Sequence, residues 1–221
     1  MATKYSRKIF GEDGIYYVFN RGVNKCEIFI DDRDYKVFIH NIRRYLDPEY
    51  KLKKVDPKTG EDFYMLPKKL CDKVSLLTFC LMPNHFHLIL KLKEKTGMSE
   101  LMQSLLSNYT TYFNDKYCRT DKLYGDVYKA VRVTSEPQYL QLSRYIHLNP
   151  LKIIKSELED YQYSGFYYIF NNLSNLWLHW ENVLLDNSRQ QYIDFVKSKE
   201  SKKYTRQDKE LLENVVIEEL K

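Results

Sequence analysis

Leu81-Met82-Pro83-Asn84-His85-Phe86-His87-Leu88-Ile89-Leu90 sets two histidines one residue apart at the head of an apolar run. The run has strand composition, and on a strand residues i and i+2 point to the same face. His85 and His87 therefore present two imidazoles side by side, which is ligand geometry for a divalent ion. A His-x-His pair alone is common on structural and surface strands. This chain has only five histidines, however, so two within three positions is a concentration. Met82-Pro83-Asn84 is turn chemistry, which brings the histidine strand back sharply on the strand before it, residues 74–81.

Working outward, the element order decides the fold. Ile15-Tyr16-Tyr17-Val18-Phe19 is a first strand, β-branched and aromatic. Asp31 and Asp32 open a helix on which Tyr35, Phe38, Ile39, Ile42, Tyr45 and Leu46 form one stripe, and Asp47-Pro48 stops it. Residues 48–70 are rich in Lys, Asp, Pro and Gly without periodicity, which predicts a solvated surface loop or a DNA-facing flap. After the histidine hairpin, Ser99 is the candidate cap of a second helix carrying Met98, Leu101, Met102, Leu105, Leu106, Tyr109, Tyr112 and Phe113 on one stripe. Residues 127–133 are a fourth strand, with Lys129 and Arg132 on opposite faces. The order β-α-β-β-α-β predicts an α+β, ferredoxin-like split βαβ fold: a four-stranded antiparallel sheet with two crossover helices on one face.

A third helix follows over residues 136–148, with Pro137 in its first turn and Asn149-Pro150 closing it. Tyr139, Leu142 and Ile146 make its apolar stripe, while Gln138, Gln141, Tyr145 and Asn149 lie on an adjacent one. A tyrosine bracketed by amides is not set out like a core tyrosine. Beyond it the chain reads as a helical C-terminal extension over residues 171–221, with one helix at 190–197 and an amphipathic one at 205–221.

Composition narrows the function classes. The formal charge is +5, which is compatible with nucleic acid, and 20 of 221 residues are tyrosine, which suits surfaces that stack on bases. Cys26, Cys71, Cys80 and Cys118 have no C-x-x-C spacing, which argues against a zinc-stabilised scaffold or a disulfide framework. No apolar run approaches the ~20 residues of a membrane span, and no signal-peptide h-region is visible, so a cytoplasmic protein is expected. Two histidines with an amide or carboxylate from elsewhere can hold Mg²⁺ or Mn²⁺ and leave positions open for phosphate oxygens. Beside such a site a tyrosine hydroxyl can attack phosphorus.

These motifs together resemble the single-tyrosine HUH transposases, in particular the REP-associated tyrosine transposases. The resemblance rests on Tyr17-Val18-Phe19-Asn20-Arg21-Gly22, Ile28-Phe29-Ile30-Asp31-Asp32, the Met82-Pro83-Asn84-His85-Phe86-His87 run, Tyr112-Phe113-Asn114, and Arg144-Tyr145-Ile146-His147-Leu148-Asn149-Pro150. It spans residues 10–170, which makes that stretch the expected catalytic domain, with 48–70 as an insertion. It implies that His85 and His87 are metal ligands, that Asn149 completes the site, and that Tyr145 is the nucleophile. It further implies a substrate of single-stranded DNA, a hairpin with a flanking guide sequence, cut to a 5′-phosphotyrosine and a 3′-hydroxyl. A housekeeping DNA-binding protein of the same fold is the alternative. The chain departs from the family at Gly125-Asp126-Val127, where relatives carry Gly-x-Arg. Charge and proximity to the motifs nominate Arg21, Lys129, Arg132 and Arg144 as phosphate contacts. Relatives differ on whether the tyrosine serves its own chain or a partner's, so a monomer or a homodimer is expected. The two-residue link Thr134-Ser135 before the third helix favours service in its own chain.

Overall fold

The structure, a computed structural model, describes residues 10–198 of the 221. β1 (Ile15–Arg21) is followed by α1 (Asp32–Leu46), a small hairpin of β2 (Leu52–Val55) and β3 (Asp62–Met65), then β4 (Val74–Met82) and β5 (His85–Leu92). α2 (Gly97–Tyr117), β6 (Lys129–Val133) and α3 (Glu136–Leu148) come next, and α4 (Gly165–Phe170) and α5 (Arg189–Lys197) complete the described chain. The sheet order is β4-β5-β1-β6, and every neighbouring pair is antiparallel. This is the split βαβ arrangement that the element order predicts. The amphipathic helix expected over 205–221 lies outside the described residues.

The two sheet faces have different partners. Register partners share a face, so Phe86, Leu88 and Leu90 of β5 lie with Val18 and Tyr16 of β1. On this face α1 and α2 pack, with the Phe38 ring 5.3 Å from Phe86 and 5.0 Å from Tyr109. The opposite face carries Tyr17, Phe19 and Arg21 beside Ile89, His87 and His85. Here α3 lies across β4, and α5 packs on α3. Trp177, Leu178, Trp180, Tyr192 and Val196, all from the stretch after α4, are buried in the same core.

The helix ends follow local chemistry. Asp31 caps α1 in a reciprocal box with Asp34. The buried Asp34 carboxylate then accepts from the Tyr112 and Tyr117 hydroxyls and the Lys116 ammonium, at 2.8–2.9 Å, and so ties the start of α1 to the end of α2. Burial alone would raise the Asp34 carboxyl, but these bonds hold it below the ordinary range.

Two expectations are corrected. Residues 48–70 do not form an irregular loop throughout: β2 and β3 pair across a turn in which Asp56 N–H donates to Glu61 O and Gly60 sits at φ +72°. Seven of the eight strand residues are exposed and none is buried, so no hydrophobic alternation marked them. Ser99 is not the cap of α2 either. The helix begins at Gly97, where a side chain would meet the Lys73 carbonyl 2.8 Å away, and Thr96 holds the cap position.

Candidate metal and nucleotide site

The site forms at the end of the sheet where β4 turns into β5. Only Pro83 and Asn84 separate the strands, and Met82 pairs with His85. The turn is fastened to the rest by backbone bonds: Gly22 N–H donates to Asn84 O at 2.9 Å, and Ile28 N–H to Pro83 O at 2.7 Å. Gly22 is required there. A Cβ on it would fall 2.2 Å from the Cys26 carbonyl oxygen.

The two imidazoles stand 4.7 Å apart with planes at 89°. Each has its Nδ1 engaged. That of His87 meets the Tyr17 hydroxyl at 2.7 Å, and that of His85 donates to Asn84 Oδ1 at 2.5 Å. Anchoring Nδ1 fixes the ring and leaves Nε2 as the nitrogen for a cation. His87 is fully buried, and burial first, then the charges of Lys152 and Arg21, depress its proton affinity to a pKa of about 3. It is therefore neutral at pH 7, the form a metal requires.

α3 brings the tyrosine to this pair within one chain. The Tyr145 ring centroid lies 6.2 Å from that of His87, edge to face. The helix is fixed by His147 two residues on. The His147 Nε2 lies 2.6 Å from Thr78 Oγ1 on β4, and its Nδ1 lies 3.0 Å from the Tyr192 hydroxyl on α5. Tyr192 also donates to Ser143 Oγ at 2.7 Å. Burial holds His147 neutral, with a pKa of about 3.

Asn149 follows α3 and is 1% exposed. Its Nδ2 donates to the Tyr145 carbonyl at 3.1 Å, and its Oδ1 accepts from Lys152 Nζ at 2.8 Å. Lys152 Nζ also lies 5.6 Å from the centre of the Tyr145 ring. Neither Lys152 nor Tyr17 stood out as a site residue in the sequence. Lys152 had a signal: Asn149-Pro150 opens a 3₁₀ turn, in which residues i and i+3 eclipse.

The basic residues divide. Arg21 and Lys129 line a cleft of about 320 Å³ that opens beside His85, together with Phe19, Lys25 and Gly125. Val127, also on this cleft, is 74% exposed. Arg132 lies three residues along β6 from Lys129, on the α1/α2 face of the sheet, near Gly11 and Tyr16. Arg144 is buried, its guanidinium 4.8 Å from the Phe195 ring centre on α5. The structure thus gathers His85, His87, Tyr145, Asn149, Arg21 and Lys129 at one end of the sheet, and leaves Arg132 and Arg144 elsewhere.

The donor set fits a divalent ion. Two ring-anchored imidazoles, that of His87 held neutral by burial, and an oriented amide oxygen are compatible ligands, and water or phosphate oxygens can fill the remaining positions. Among the described residues no group of three His, Cys, Asp or Glu offers an alternative metal site. No described helix is long and apolar enough to cross a membrane.

Comparison with known proteins accords with the motifs. A family model described as Transposase IS200 like matches residues 36–149, just over half of the chain. A solved structure described as the REP-associated tyrosine transposase bound to a REP hairpin superposes with a TM-score of 0.53 at 14% identity. The match covers 80% of this chain and 90% of that one, and it supports the fold. No curated protein matches. From its fold and the family match, the chain belongs to the IS200-like transposase family.

Proposed function

We propose that this protein cleaves and rejoins single-stranded DNA through a covalent bond to Tyr145, as one step of DNA transposition. The observation that carries the reading is the approach of Tyr145 to His87 within one chain, 6.2 Å between ring centres. His85, His87 and Asn149 would hold a Mg²⁺ or Mn²⁺ ion, which when bound polarises the scissile phosphate and neutralises charge developing on it. Imidazole ligands suit Mn²⁺ better than Mg²⁺, which favours oxygen.

The protein's own residues do the rest. Tyr145 Oη attacks phosphorus as the P–O3′ bond breaks. The proton lost by the phenol is matched by one taken up through solvent by the departing oxygen, which leaves as a 3′-hydroxyl. The phosphate stays on Tyr145 as a 5′-phosphotyrosine, and a new 3′-hydroxyl attacking it reverses the step and joins the strands. No external energy source is consumed, because one phosphodiester is exchanged for another. His147 ties α3 to Thr78 on the sheet, and Ser143 and His147 tie it to Tyr192 on α5, so the phenol meets the phosphate without a search. Arg21 and Lys129 in the adjoining cleft receive backbone phosphates of the flanking strand, and the REP hairpin bound in the similar solved structure supports a hairpin substrate.

Labelled hairpin DNA with a single-stranded flank, incubated with the protein and Mn²⁺, tests this on a denaturing gel. A covalent adduct is expected that disappears with EDTA and falls by at least about 10³-fold in Tyr145→Phe. An undiminished adduct in that variant, or none with any hairpin offered, contradicts the reading.

A further inference from the structure

We propose that Lys152 is a tethered cation that competes with the divalent ion for the amide oxygen of Asn149, and so sets the affinity of the site for metal. The inference rests on the reading that His85, His87 and Asn149 hold the ion. Its basis is the arrangement after α3. The Asn149 side chain cannot turn freely, because its Nδ2 is held by the Tyr145 carbonyl at 3.1 Å. Its oxygen therefore points one way, and in that direction it accepts from Lys152 Nζ at 2.8 Å. The 3₁₀ turn Asn149–Lys152, begun by Pro150, sets the lysine over the asparagine. An ammonium and a divalent ion cannot both sit closely on that oxygen, because their like charges repel.

The lysine can yield. Lys152 is an exposed residue and its four-carbon stem is flexible. When the ion takes the amide oxygen, the ammonium is released within reach of Tyr145, whose ring it already overlies at 5.6 Å. A DNA phosphate at that point gives the freed ammonium a new partner. Metal and DNA then favour each other's binding, each paying part of the displacement of Lys152.

Mn²⁺ affinity, read from the electron paramagnetic resonance signal of the free ion, tests this on the full chain without DNA. Lys152→Met is expected to bind Mn²⁺ at least about fivefold more tightly than the wild type. In an Asn149→Ala background the same change is expected to alter affinity by less than about twofold, since the contested oxygen is gone. A Lys152→Met protein that binds Mn²⁺ equally or more weakly overturns the proposal. So does a gain that survives undiminished in Asn149→Ala, which would mark a general charge effect. Should Asn149→Ala unfold, salt separates the two: a general charge effect fades between about 0.05 and 0.5 M KCl, while competition for a ligand atom persists. If His85→Ala leaves Mn²⁺ affinity unchanged, the metal reading itself fails, and this inference with it.

Discussion

Single residues carry the chemistry, and most of them are polar groups with their alternatives removed. His87 and His147 are both fully buried, and burial depresses both to a pKa of about 3. In the unfolded chain each titrates near ~6.5. Between those values the unfolded state binds more protons, so stability falls as pH falls from about 6.5 toward 3. At pH 5 each histidine costs on the order of 2 kcal/mol of stability. Urea unfolding of the metal-free protein at pH 7.5 and 5 should show the loss, and His147→Gln should remove about one proton from the slope. A stability curve flat over that range would contradict the burial of both rings. Tyr17→Phe removes the hydroxyl from His87 Nδ1 and should weaken Mn²⁺ binding by about tenfold, as outer-shell partners of ligating histidines do; titration of the metal measures it. At this scale the sequence showed the candidate ligands but not their supports. His85 and His87 stand two apart, so their common face follows from strand geometry alone. Tyr17 lies 70 residues from His87, and only the pairing of β1 with β5 brings them together.

Elements position those residues. α3 holds Tyr145 by polar bonds of His147 to β4 and α5, and Tyr192 closes the same network. Tyr192→Phe leaves Ser143 and His147 without that hydroxyl and should cost about 1–3 kcal/mol, read as a lowered urea midpoint. The β2–β3 hairpin contacts little besides itself and contributes no residue to the core. Replacing residues 52–65 with a short Gly/Ser link should therefore shift Tm by no more than about 4 °C, a change below about 1 kcal/mol. A larger loss would show that the hairpin supports the fold. α1, α2 and α3 were readable because each has an apolar stripe at helical spacing. The hairpin was not, because a strand with neither face buried leaves no period in its residues. Arg144 misled for the opposite reason: a cation beside a candidate nucleophile suggests phosphate, yet this one packs on the Phe195 ring inside the helix layer.

For the whole molecule, the fold places α1 and α2 on one face of the sheet and the candidate site on the other. The β-α-β-β-α-β order was legible because the strands and helices alternate in period along the chain. The site depends on one junction that no local pattern encodes, the crossing of α3 over the histidine face. Its short link to β6, Thr134-Ser135, keeps the tyrosine with its own sheet. The phenol on α3 is expected to become bonded to DNA. Digesting the protein–DNA adduct with protease and nuclease and sequencing the modified peptide by mass spectrometry tests this directly. A nucleotide joined through phosphate to Tyr145 alone is the expected result. A nucleotide on any of the other tyrosines, or an intact adduct in which Tyr145 is unmodified, would contradict it.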